Sequence, residues 1–202
     1  GKLPAVKKFG VKINAILILA ATALAANFVL YLSSLTYLNP ESAQVLIQLA
    51  PFILMFGSIL FYKERLGWLE WVGVALLLGG FSLFFNDRLA EIFTSLNDYS
   101  LGIILMVLAS VSWGLYGLLQ KTLLKKMDSI QLTSLMYLGG VILLTPFIDP
   151  ATLFDLNAVQ FAALLFCSLN LVLAYGAFTE ALNLWDAAKV SAVITLAPLL
   201  TI

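Results

Sequence analysis

The stretch LNPESAQVLIQLAP, residues 38–51, opens like a capped helix and closes on a proline inside an apolar run. A close echo, LWDAAKVSAVITLAP, fills residues 184–198. Setting Pro51 against Pro198, an offset of 147, also pairs Leu35 with Leu182, Ile47 with Ile194, Leu49 with Leu196 and Ala50 with Ala197. Asn39 and Pro40 form a helix start: the Asn side chain accepts from free N–H groups, and Pro in the first turn sacrifices no intrahelical bond. Asp186 stands at the Asn39 position of the second copy and is expected to cap in the same way. The internal proline removes one i→i−4 bond and opens the backbone. Each copy is therefore expected to be a broken helix, with Pro51 and Pro198 at the hinges.

Composition says where such helices lie. The 202 residues are 62% hydrophobic and only 11% charged, with a mean hydropathy of +1.02. Charged residues make up about a quarter of an ordinary soluble domain, so this chain lacks a hydrated skin. Uncharged runs occupy residues 13–40, 42–62, 71–86, 99–120, 129–148, 156–179 and 190–202. Most are near the ~20 residues with which a helix crosses a ~30 Å hydrocarbon layer. The third run can borrow residues 66–70, where Trp68 suits the interface. The expected fold is an all-α polytopic membrane protein with seven transmembrane helices.

Loops alternate sides, so the basic residues can be scored. With the N-terminal segment inside, Lys2, Lys7, Lys8, Lys12, Lys63, Arg65, Lys121, Lys125, Lys126 and Lys189 all fall inside, and only Arg88 outside. The bias of Lys and Arg toward the cytoplasmic face predicts this orientation. Glu41, Asp87, Glu91, Asp98, Asp149 and Asp155 fall outside, which the rule permits because it does not count acids.

Other classes are excluded on residue grounds. Eleven basic residues balance eleven acidic ones, with no dense basic stripe, so nucleic acid is not a partner. There is no His, and Cys167 is the single cysteine. Cys167, in FAALLFCSLN, reads as a small buried hydrophobe. No nucleophile-and-base set can be assembled, so no catalytic residues, no metal site and no cofactor are expected, and the chain does not read as an enzyme. Nor is there a phosphate-binding glycine loop.

The repeated phrase begins the second expected crossing and, five crossings later, the seventh. An odd separation inverts the unit. Opposed broken helices in an inverted repeat place openings near the bilayer midplane, the arrangement by which secondary transporters alternate access.

The block SAQVLIQLAPFILMFGSILFYKERLGWLEWVGVALLLGG, residues 42–80, resembles the EamA branch of the drug/metabolite transporter superfamily, with AAKVSAVITLAPLLTI, residues 187–202, as its partner. The resemblance implies a ten-helix fold of two inverted five-helix repeats that moves small metabolites or drugs. The chain would correspond to helices three to nine. Residues 1–86 would be the end of the first repeat without its N-terminal pair, 87–98 an outer linker, and 99–202 the second repeat without its last helix. It also implies a bacterial or archaeal plasma membrane location, with the N-terminal segment cytoplasmic, and leaves a homodimer open. The family keeps an acidic residue at Glu64, within the inner loop Lys63, Glu64 and Arg65, which suggests capping or tethering of helix ends.

Several residues are candidates for a solute cavity. Gln44 and Gln48 lie one turn apart with Pro51 on the same face; they fit a polar cavity and interhelical hydrogen bonding equally well. Trp113, Tyr116 and Gln120 form a stripe beside Gly114 and Gly117, with the aromatics able to wall a pocket and Gln120 near the inner interface, where water could reach it. Asn27, with Tyr31 one turn beyond, and Asn170 sit deep in uncharged runs and require partners. Glu180 ends a long uncharged run. Carboxylates in such positions relay protons or bind cations in transporters; at headgroup level Glu180 would instead pair with Lys189 or another lysine. The small-residue pairs Ala21 with Ala25, and Gly73 with Gly79 and Gly80, read as close helix contacts.

These features point to a secondary exporter of small organic solutes in a lipid bilayer, with amino acids or related metabolites and drugs as substrates and proton coupling through Glu180. A small-solute channel and a seven-helix receptor are the alternatives.

Overall fold

The computed structural model describes residues 10–85 and 98–195. Helix α1, Val11–Ser34, leads through a tight turn into α2, Pro40–Leu46. Asn39 Oδ1 accepts the Ser42 N–H at 3.0 Å and Pro40 fills the first helical position, so this start forms as its residues predict. After Ile47 and Gln48 a second helix, α3, runs over Leu49–Tyr62. The break is mechanical. Ile47 lies four residues before Pro51, whose ring crowds that carbonyl and supplies no N–H to it. The Ile47 carbonyl instead accepts the Ala50 N–H at 2.9 Å, a tighter turn that ends one helix and begins the next.

The chain continues through α4, Trp68–Phe85, then α5, Asp98–Leu123, and α6, Ser129–Leu144. Two short 3-10 turns follow at Thr145–Phe147 and Pro150–Leu153. Helix α7 covers Ala158–Leu184 and α8 covers Ala187–Ile194. Asp128 caps α6 through the Gln131 N–H at 2.8 Å, and Asn157 with Gln160 forms a reciprocal capping box on α7.

Five of these spans are long and apolar enough to cross a bilayer: Val11–Ser34, Pro40–Tyr62 taken through its break, Asp98–Leu123, Ser129–Phe147 and Ala158–Leu184. The chain is an all-α polytopic membrane protein. The two other expected crossings are shorter among the described residues. Helix α4 carries the apolar stretch Trp71–Gly80, and α8 has eight residues. Pro198 lies outside the described residues, as do Asp87, Arg88 and Glu91.

Helix α5 is the central element, packed against α1 and α3 through small residues. A Cβ on Gly114 would stand 2.5 Å from Ile53 Cγ2, and one on Gly117 3.0 Å from Leu54 Cδ1. Helix α1 approaches α6 in the same way, since a Cβ on Gly139 would lie 2.7 Å from that of Ala21. The α4 glycines behave differently from expectation: a Cβ on Gly73, Gly79 or Gly80 would meet nothing within 4 Å among the described residues.

Helix α7 corrects a second expectation. None of its most apolar 18-residue window is buried, and Cys167, expected to be interior, is exposed on it. Lipid tails are as apolar as a protein core, so apolar neighbours in sequence do not imply burial here.

Candidate functional site

A cavity of about 270 Å³ opens beside the break between α2 and α3. Helix α1 lines it with Asn27, Phe28 and Tyr31, which share one face by helical spacing. The break contributes Gln44, Ile47, Gln48, Ala50 and Pro51. The remaining wall is Trp113 from α5, Tyr175 from α7 and Ile194 from α8. Six of the residues singled out from sequence, namely Asn27, Tyr31, Gln44, Gln48, Pro51 and Trp113, are thus brought to one space.

The polar groups there differ in their commitments. Asn27 is buried, and its Nδ2 donates to the Ala109 carbonyl of α5 at 3.0 Å, so it ties α1 to α5 as well as lining the cavity. Gln48 is 8% exposed, and its Oε1 has no hydrogen-bond partner. Gln44, one turn earlier, is exposed. The aromatic walls continue inward: the Phe28 and Tyr175 rings lie 6.0 Å apart, and Trp113 stacks obliquely on Phe178 at 4.9 Å.

Other sequence candidates lie elsewhere. Tyr116 is 1% exposed and does not reach the cavity; its hydroxyl accepts from Gln120 Nε2 at 2.8 Å, and the same nitrogen donates to Thr179 Oγ1 at 3.1 Å. Gln120 is fully buried rather than hydrated. Asn170 is exposed on α7. Glu180 is half-buried and accepts a hydrogen bond from Ser129 Oγ in the first turn of α6. Lys189, the partner considered for it, pairs with Asp186 at 3.1 Å instead.

That pairing leaves Asp186 without the capping role expected of it: its side chain makes no cap hydrogen bond. Glu64 supplies the cap from another part of the chain. Its Oε1 accepts the Ala187 N–H at 3.1 Å and its Oε2 the Ala188 N–H at 3.0 Å. Lys63 makes the turn that allows this, with a left-handed φ of 57°, and both Lys63 and Arg65 remain exposed. Two further contacts at this end escaped the sequence reading. Lys121 Nζ donates to the Leu182 and Trp185 carbonyls at 2.8 and 2.5 Å, capping the end of α7. The Tyr62 hydroxyl donates to the Leu118 carbonyl at 2.5 Å.

Of the cavity residues that sequence reasoning missed, Ile47 and Ile194 carried a signal. They occupy the same place in the repeated phrase, each four residues before its proline. Phe28 and Tyr175 carried none, because an aromatic residue in a spanning helix reads the same whether it faces lipid or a cavity.

Comparison with known proteins agrees with this architecture. The model of the EamA-like transporter family matches residues 3–86 and 100–202. An uncharacterized inner membrane transporter of Escherichia coli, YhbE, is 43% identical over 202 residues, covering 100% of this chain and 63% of its own length. An uncharacterized transporter of Haemophilus influenzae is 42% identical over 187 residues, 93% of this chain and 61% of its own length. One from Archaeoglobus fulgidus is 30% identical over 176 residues, 83% of this chain and 58% of its own length. The chain therefore spans about three-fifths of the relatives it matches. No solved structure matches it significantly.

Proposed function

The chain belongs to the EamA-like transporter family, and from that membership we propose that it forms part of a secondary transporter of small organic solutes, working by alternating access around the cavity beside Pro51. The observation that carries this reading is the meeting of Ile47 and Ile194 in one cavity wall. The two occupy equivalent places in the repeated phrase, and α2 and α8 end at or beside them. In inverted-repeat carriers, broken helices of the two repeats meet near the midplane and give a site that a rocking motion can expose to either side.

In this reading residues 1–86 and 99–202 belong to the two repeats of a ten-helix protein, and 87–98 link them. The N-terminal segment faces the cytoplasm, as ten of the eleven basic residues favour, and the membrane is a bacterial or archaeal plasma membrane, in keeping with the inner membrane transporter of Escherichia coli that the chain resembles. Glu64 acts as a tether between the halves at the cytoplasmic end. Glu180 is the candidate for proton coupling, acting from outside the cavity through the foot of α6.

Uptake by the full-length protein in proteoliposomes tests this. A panel of labelled metabolites is offered with and without an imposed pH gradient. Saturable uptake that shows exchange between internal and external solute supports a carrier. Flux that rises without saturation would make the protein a channel, and no flux of any solute by folded protein would remove the transport reading.

A further inference from the structure

We propose that the cavity recognises a protonated amine, so that its solutes are organic monoamines carrying a flat or apolar body. This rests on the transport reading above and names the substrate class of the same cavity.

The lining is rich in aromatic rings. Four aromatic side chains, Phe28, Tyr31, Trp113 and Tyr175, contribute to it. The face of each ring attracts a cation and repels an anion. Among the described residues no charged side chain lines the cavity, so a carboxylate or phosphate entering it would lose water and find no compensating cation there.

Two of the neutral donors here are engaged. Asn27 Nδ2 already donates to the Ala109 carbonyl at 3.0 Å. At the start of α3, where a helix would normally offer free N–H groups, Pro51 has none and the Ala50 N–H is held by Ile47 at 2.9 Å. An acceptor, by contrast, stands ready. Gln48 Oε1 is buried at the break and has no partner, and an unmatched buried acceptor costs free energy until a donor arrives. An ammonium group resting on the ring faces and donating to Gln48 Oε1 satisfies both features. A volume of about 270 Å³ has room for a single ring on a short chain.

The test uses the full-length protein in lipid nanodiscs and four probes of one shape: phenethylamine, its N,N,N-trimethyl analogue, 2-phenylethanol and phenylacetate. Binding is read from the fluorescence of Trp113, with Trp113→Phe as the control for its origin. Phenethylamine is expected to bind about tenfold more tightly than the alcohol, with phenylacetate weakest. Gln48→Met, which keeps the shape and removes the acceptor, should weaken phenethylamine about tenfold and leave the trimethyl analogue, which has no N–H, within about twofold. Gln48→Glu should tighten both cations, and it keeps the test decisive if the Met variant fails to fold.

Binding of phenylacetate or the alcohol as tight as that of the amine would overturn the proposal, as would no binding of either cation. Equal loss of both cations in Gln48→Met would overturn the role of Gln48 Oε1. Proteoliposome flux separates the two readings. A bound amine that is never carried would sink transport and leave amine recognition standing, whereas saturable flux of a non-amine solute alone would do the reverse.

Discussion

Glu64 and Ala187 are 123 residues apart in sequence and hydrogen-bonded in space. One carboxylate takes the first two free N–H groups of α8, at Ala187 and Ala188. A negative group at a helix N-terminus is stabilised both by these donors and by the helix dipole. The loop after α3 is thereby fastened to the start of α8, next to the end of α7 that Lys121 caps.

Removing this cap should cost stability in a graded way. Glu64→Gln keeps one acceptor oxygen and Glu64→Ala keeps none, so thermal unfolding in detergent should rank wild type above Gln above Ala. The full loss should be about 0.5–2 kcal/mol, the usual range for an N-cap. An Ala variant as stable as wild type would show that water replaces the carboxylate without loss.

Pro51→Ala restores an i→i−4 donor for the Ile47 carbonyl, which otherwise accepts only the nearer Ala50 N–H, and lets α2 and α3 fuse. The variant should unfold at the same temperature as wild type or higher, yet its initial uptake rate should fall about tenfold, a change of roughly 1.4 kcal/mol in barrier height. Undiminished uptake by a stable variant would separate the break from the transport cycle.

Two glycines should answer differently to the same substitution. Gly114→Leu forces a side chain into Ile53 and the Ala50 carbonyl, which a Cβ alone would approach to 2.5 and 3.3 Å; it should cost about 1–3 kcal/mol. At Gly80 an added Cβ would meet nothing within 4 Å among the described residues, so Gly80→Leu should stay within about 0.5 kcal/mol of wild type. Unfolding midpoints of the two variants, compared in one detergent, check the contrast.

Glu180→Gln keeps an acceptor for Ser129 and removes the charge. If the carboxylate couples protons, gradient-stimulated uptake should fall to the unstimulated rate while solute exchange continues. Stimulation equal to wild type would reduce Glu180 to a tether between α7 and α6.

Much of the fold was legible because it rests on local chemistry. Asn39-Pro40 and Asp128 begin helices with groups next to them in sequence, and Pro51 breaks a helix at a carbonyl four residues away. The cavity was legible only in part. Asn27, Gln48 and Trp113 stood out as polar or aromatic residues in apolar helices, but so did Asn170 and Tyr116, which lie elsewhere.

The amino-acid sequence by itself determined the solvent of this protein, the starts of its helices and the place where one of them breaks. It did so because charge content, capping groups and proline act within a few residues. Tertiary structure alone decided which face of each helix turns inward. In water an apolar stripe gives that face away, but in a bilayer lipid and core are equally apolar, so no stripe is needed. Cys167 therefore faces outward from a run that reads as buried. The same holds for who caps whom. Asp186 has the right residue type in the right place, yet it pairs with Lys189, and the cap arrives from Glu64, a partner that only folding brings near.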